Sequence, residues 1–268
     1  MSTPIGNEQL LALVDSGDEA GLGTALRSLS SDDLEAFLAG TLETPRLPRF
    51  LTYLLWPFIL LFGILRSSCE TPLHRAVRKG QSRVVKVLVN FGAKVDIENQ
   101  AGLSPLHVAA ALGYEKVVEA LLDLRGDANK ADRQGWMPIH HAAFKGHESL
   151  VAMLLNGGAE PNAQNGSGWT AMHLASASNK TSVLKTLHGK GAHLDDANSD
   201  GDTPLHIAAS RGYLYTLFTL VKLGASANEK NKAGKMARDL LNTTENVFDL
   251  MKQVVKDEEK TLKELQVS

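Results

Sequence analysis

Thr71-Pro72-Leu73-His74, Ser104-Pro105-Leu106-His107, Met137-Pro138-Ile139-His140, Thr170-Ala171-Met172-His173 and Thr203-Pro204-Leu205-His206 are five versions of one tetrapeptide, each 33 residues after the last. Ala follows two residues after each His, at Ala76, Ala109, Ala142, Ala175 and Ala208. A Thr hydroxyl accepts an N–H of a first helical turn, and Pro fits there because its missing N–H would have no partner anyway. Each tetrapeptide therefore predicts a helix start. Gly80, Gly113, Gly146, Asn179 and Gly212 follow in phase, and Gly and Asn tolerate the left-handed turn that ends such a helix. A second helix is marked by apolar pairs such as Val84-Val85, Val117-Val118, Leu150-Val151, Val183-Leu184 and Leu217-Phe218.

Helices of about ten residues are marginal alone, so this pattern can stand only if neighbouring pairs stack. A fixed period of 33 residues carrying T-P-L-H-x-A resembles the ankyrin repeat. The resemblance implies an all-α solenoid of stacked helix-turn-helix units with short β-hairpin fingers. It divides residues 68–232 into five repeats: 68–100, 101–133, 134–166, 167–199 and 200–232. Gly92-Ala93, Gly158-Ala159, Gly191-Ala192 and Gly224-Ala225 lead from helix to finger. The second repeat has Arg125-Gly126 instead, and a left-handed Arg125 would be strained, so a different exit is expected there. Residues 1–40 read as an N-terminal helical capping unit. Residues 233–256 read as a degenerate C-terminal capping repeat, with Met236-Ala237-Arg238-Asp239 in the tetrapeptide slot, and 257–268 as a charged tail.

The register breaks between the first capping unit and Thr71. From Gly80 to the next tetrapeptide is 24 residues, whereas from Gly17 it is 54. About 30 residues are therefore extra, and they lie in an apolar insert at 41–67. Within it, residues 50–65 carry no charge. A spanning helix needs roughly 20 apolar residues, about 17 at least, and this run is interrupted by Pro57. Three readings stay open: a membrane anchor or hairpin, a helix folded against the first repeats, and a foreign segment such as translated intron sequence. If the run spans a bilayer, the basic residues after it place the repeats in the cytosol.

Composition excludes several functions. A formal net charge of −2 gives no electrostatic case for nucleic-acid binding. The single cysteine, Cys69, cannot form an intramolecular disulfide, which suits a reducing compartment. A cytoplasmic protein, also able to enter the nucleus, is expected, with a membrane-anchored form as the alternative. No nucleophile–base constellation, phosphate-binding glycine loop or zinc-protease helix appears, so the chain is read as no enzyme and as needing no cofactor. Five histidines at a period of 33 suggest a metal array, but stacked layers would hold them roughly 10 Å apart. Zinc needs ligand atoms about 2 Å from a common centre. The family resemblance implies instead that His74, His107, His140, His173 and His206 hydrogen-bond backbone between neighbouring repeats.

Function then falls to the positions the scaffold leaves free. Ankyrin domains dock partners on their finger tips and on the inner face of the first helices. By that resemblance the candidates are Trp136 and Trp169, expected on adjacent finger tips with Phe144 and Lys145 between them, and also Leu112, Tyr114, Arg211, Tyr213, Arg78 and Lys79. Aromatic residues and Arg dominate binding energy at interfaces. The basic cluster Arg75, Arg78, Lys79, Arg83 and Lys86 reads either as a site for an acidic partner or lipid headgroup, or as a solvated surface. The expected function is a monomeric, non-catalytic scaffold that binds another protein. Within the family, the size, the degenerate last unit and Trp169-Thr170-Ala171-Met172-His173 followed by Gly201-Asp202-Thr203-Pro204-Leu205-His206 resemble gankyrin-type chaperones of proteasome regulatory-particle assembly. That resemblance implies a proteasomal ATPase subunit as partner. The alternative is a membrane-tethered ankyrin protein anchored through residues 50–65.

Overall fold

The computed structural model describes residues 6–39 and 70–241, together with Lys256. The apolar insert, most of the C-terminal capping unit and the charged tail lie outside these residues. The chain divides into two compact units, Met1–Arg133 and Gln134–Ser268.

The first unit opens with α1 (Asn7–Ser16) and α2 (Glu19–Arg27), joined at Gly17 with φ 75°. A third helix, α3 (Ser31–Leu38), follows. Two repeats complete it: α4 (Pro72–Arg78) with α5 (Ser82–Asn90), and α6 (Pro105–Leu112) with α7 (Glu115–Asp123). The α1–α2 pair packs directly on α4–α5, so the extra residues do not part the cap from the first repeat. The Gln81 amide reaches the Asp15 carbonyl (3.1 Å), and the Arg75 guanidinium forks onto the Asp15 carboxylate. A cavity of about 380 Å³ remains between α3 and the stretch after α5, lined by Leu34, Leu38, Phe91 and Ile97.

The second unit contains three repeats: α8 (Pro138–Lys145) with α9 (Glu148–Asn156), α10 (Ala171–Ala177) with α11 (Thr181–Gly189), and α12 (Pro204–Ser210) with α13 (Leu214–Leu223). The core is what the apolar pairs predict: Leu150, Val151 and Leu154 face Val183, Leu184 and Leu187, and Leu217 and Leu220 continue the row, all fully buried. At roughly 1.5–3 kcal/mol for each buried side chain, this stacking outweighs the poor intrinsic stability of helices this short. A 3₁₀ turn, Ala237–Leu240, packs on α12 and opens the degenerate unit. There Asp239 Oδ2 accepts the Met236 N–H (2.8 Å), just as His140 Nδ1 accepts the Met137 N–H (2.9 Å). A carboxylate does the histidine's capping work.

The fingers are turns rather than extended hairpins. Among the described residues the only bridge between extended residues is Lys230 with Met236. Four of the fingers are instead closed by an asparagine. Asn165 Oδ1 accepts the N–H groups of Ser167 and Trp169 (both 2.9 Å), and Asn99, Asn198 and Asn231 repeat the arrangement. Within the second unit the fingers are also laced together: Gly166 N–H donates to Gln134 O, Ser199 N–H to Ser167 O, and Lys232 N–H to Asp200 O, at 3.0–3.1 Å. Gly168 is needed twice over. Its φ is 74°, and a Cβ there would sit 2.8 Å from the Ser199 nitrogen of the next finger.

The second repeat does not exit differently. Arg125 adopts φ 64°, and its N–H donates to Leu122 O (2.9 Å), as Gly92 N–H donates to Val89 O (2.9 Å). The stacked register overrides the local preference of an arginine.

Candidate functional site

The five periodic histidines are all buried. His173 Nδ1 accepts the Thr170 N–H (3.2 Å), and its Nε2 lies 2.9 Å from the Asp202 carbonyl. An N–H can only donate and a carbonyl can only accept. The ring is therefore neutral, with its proton on Nε2. His206 is held identically between Thr203 N–H (3.2 Å) and Lys235 O (3.0 Å). His74 bonds Thr71 Oγ1 (2.8 Å) and Leu103 O (2.9 Å), and His107 Nδ1 meets the Ser104 amide (3.1 Å) and hydroxyl (2.8 Å). His140 turns its Nε2 to Ala163 O (3.0 Å) within its own repeat. Rings whose nitrogens are engaged in this way offer a metal no lone pair. Burial pushes the pKa of His74 and His173 down, while their backbone carbonyl partners act in the opposite sense.

The inner face of α8 is different in kind. Trp136 lies along this helix, its ring centroid 5.1 Å from His141, 6.2 Å from His140 and 6.1 Å from Phe144, the last edge-on at 76°. Phe144 remains 42% exposed, and Lys145 Nζ stands 6.0 Å from its ring. The positions equivalent to Phe144 hold Arg78, Ala111, Ala177 and Ser210, so this repeat alone has an aromatic ring there. Trp136, half-buried, is part of this patch rather than a finger tip. Trp169 closes the base of its finger, its carbonyl accepting the Asn165 N–H (2.9 Å), and its ring meets His173 at 5.9 Å.

The other candidates divide by what already occupies them. Arg211 donates from Nη1 to the Ala177 carbonyl (2.9 Å), capping α10 from the next repeat. Tyr213, half-buried, stands at the start of α13. In the first unit, Leu112 is 44% exposed, and the Tyr114 ring covers the Gly80 turn, 3.7 Å from where a Cβ would lie. Arg78 pairs with Glu70, and Lys79 helps the Arg75 guanidinium hold the Asp15 carboxyl below the usual carboxylate range. Arg83 meets Glu19 (3.4 Å), and Lys86 meets Asp123 (3.6 Å). The basic cluster of the sequence is thus largely matched by carboxylates.

Two features escaped the sequence reading. The asparagines at 99, 165, 198 and 231, with Asp132 in phase, share the period of 33 and could have been found by extending the search beyond the tetrapeptide. Leu214 and Tyr215, exposed at 46% and 66%, were hidden because they begin an apolar helix in which Leu217 and Leu220 are buried.

Helix pairs stacked in phase, with inner first helices and asparagine-closed fingers, define a repeat-protein binding module. The family model described as ankyrin repeats, in three copies, matches residues 58–132 and 139–231, well over half of the chain. The chain belongs to the ankyrin-repeat family. No curated protein matches the sequence at a significant level.

Proposed function

We propose that this chain is a non-catalytic adaptor whose second unit grips a partner protein on the inner face of α8. The observation that carries the reading is the stack of Trp136, Phe144 and Lys145, an aromatic–cation patch left accessible in a repeat whose fold does not require it. Such residues supply hot spots, each worth about 2 kcal/mol or more when removed. Trp169, Tyr213 and Arg211, in the same unit, supply the periphery. The gankyrin-type resemblance nominates the C-terminal domain of a proteasomal ATPase as the first partner to try, in the cytosol or nucleus.

Titration calorimetry of the full chain against purified proteasomal ATPase C-terminal domains tests the nominated partner. Heats no larger than those of dilution would remove it. For whichever partner binds, Phe144→Ala should weaken affinity about 30-fold, the equivalent of roughly 2 kcal/mol. Its melting temperature should stay within a few degrees, because the side chain is already 42% exposed. Trp136→Ala is the less clean variant, since it also uncovers His140 and His141. Unchanged affinity in Phe144→Ala would move the site elsewhere.

A further inference from the structure

The outer helices of the repeats begin with Ser82-Arg83, Glu115-Lys116, Glu148-Ser149 and Thr181-Ser182, and then, in the last, with Leu214-Tyr215. Polar and acidic residues suit a first helical turn, where they complement unpaired N–H groups. Leu and Tyr do neither, and they leave two large apolar side chains 46% and 66% exposed. A local rule broken without a packing gain marks a surface kept for another purpose.

These two residues end a row. The Lys180 stem lies across Gly146, Arg211 bonds the Ala177 carbonyl (2.9 Å), and Thr216 Oγ1 donates to Asn179 Oδ1 (2.6 Å). Those contacts set the three helix–helix turns of the second unit side by side, along the edge away from the fingers. The edge carries Phe144, Lys145, Lys180, Arg211, Leu214 and Tyr215. Its one carboxylate, Glu148, already accepts the Thr186 hydroxyl (3.0 Å). Among the described residues, none of Lys145, Lys180 and Arg211 has a carboxylate partner. Residues 171–194 and 203–228 contain no acidic residue at all, whereas the fingers hold Asp195, Asp196, Asp200, Asp202 and Glu229.

We propose that this turn edge docks on an anionic membrane surface. Leu214 and Tyr215 enter the headgroup layer, while Lys145, Lys180 and Arg211 meet lipid phosphates. Charge complementarity requires an anionic occupant. The apolar pair stands out from the edge instead of lining a pocket, which fits a fluid interface better than the shaped anchors of a protein partner. Tyr favours the headgroup level, and Lys and Arg stems can lie along apolar surface with their charge in water. This surface shares Phe144, Lys145 and Arg211 with the protein-binding reading, and Lys180, Leu214 and Tyr215 belong to it alone.

The test is flotation of the full chain with phosphatidylserine–phosphatidylcholine vesicles against phosphatidylcholine vesicles alone. Binding should require phosphatidylserine and weaken with salt. Lys180→Glu should lower it about fivefold or more, the usual effect of one cation at such a surface. The double variant L214S/Y215S should lower it at least about tenfold, from lost apolar insertion. Circular dichroism confirms folding of both variants, and Lys180→Glu, at a half-exposed polar position, keeps the test open if the double variant fails to fold. Vesicle binding that survives both changes overturns the proposal and assigns attachment to another segment. Absent vesicle binding with saturable capture of poly-glutamate also overturns it, in favour of an acidic protein. Loss of partner binding in Trp136→Ala with vesicle binding intact would support two separate surfaces.

Discussion

In sequence the cations of the first unit resemble those of the second, yet the fold treats them differently. Arg75, Arg78, Arg83 and Lys86 each meet a carboxylate, on Asp15, Glu70, Glu19 and Asp123. Among the described residues, Lys145, Lys180 and Arg211 meet none; one lies by a phenyl ring, one over a glycine and one on a carbonyl. In the first unit, charge fastens the capping pair to the first repeat. In the second these three cations are left without an acid, although Arg238 lies beside Asp239. A basic run is therefore evidence of a binding surface only where the neighbouring repeat brings no acid.

The same contrast appears in the two non-glycine residues with left-handed backbone. Arg125 in the first unit bears the strain of φ 64°, and among the described residues its side chain makes no hydrogen bond that would offset it. Asn179 in the second, at φ 56°, accepts a 2.6 Å hydrogen bond from Thr216, which stands where the other repeats bury Val84, Val117, Leu150 and Val183. A polar pair across two repeats replaces a glycine and an aliphatic residue.

Acid gives the largest expected effect and separates the units. His74 and His173 have depressed folded pKa values because burial disfavours the charged ring. As pH falls, the unfolded chain takes up protons first, near pH 6.5, so stability is full above about pH 7 and is lost below it. Chemical denaturation should give a lower stability at pH 5.5 than at pH 7.5, one such histidine lying in each unit. A flat profile would mean that the rings are not held neutral. A second loss belongs to the first unit alone. The Asp15 carboxyl is held down by the Arg75 guanidinium, so its contribution is present above about pH 4 and disappears as pH falls through the lowered folded value.

Next in size is the ion pair itself. Arg75→Ala should destabilise by about 1 kcal/mol, tempered by the partial exposure of both partners, while Lys180→Ala should stay within roughly 0.5 kcal/mol. Equal losses in urea unfolding would break the distinction between fastening and free cations. Similar in size but opposite in sign, Arg125→Gly should stabilise by about 1 kcal/mol through relief of strain. Asn179→Gly should gain nothing, because it strands the buried Thr216 hydroxyl. A gain in both would show that the Asn179–Thr216 bond is without value.

Much of this architecture is legible in the amino-acid order alone. A helix start, a left-handed turn and an apolar second helix are local instructions, repeated every 33 residues, and a repeat contacts mainly its neighbours. That is why the tetrapeptides, the turn residues and the first four buried pairs fall where the spacing predicts. In the last repeat Thr216 and Leu217 are buried, and Phe218 of the expected Leu217-Phe218 pair stays half-exposed. Other matters are decided between repeats. The sequence could show that Trp136, Phe144 and Lys145 occupy free positions, but only packing stacks Trp136 on Phe144 and turns Trp169 to His173 instead. Likewise, Arg75 and Asp15 are 60 residues apart, with an insert between them, and no local pattern pairs them. Local propensity determined the repeat. Which charges are neutralised, which aromatic rings stay exposed, and which glycine position can carry an arginine were settled by stacking, because they depend on atoms supplied by a neighbouring turn.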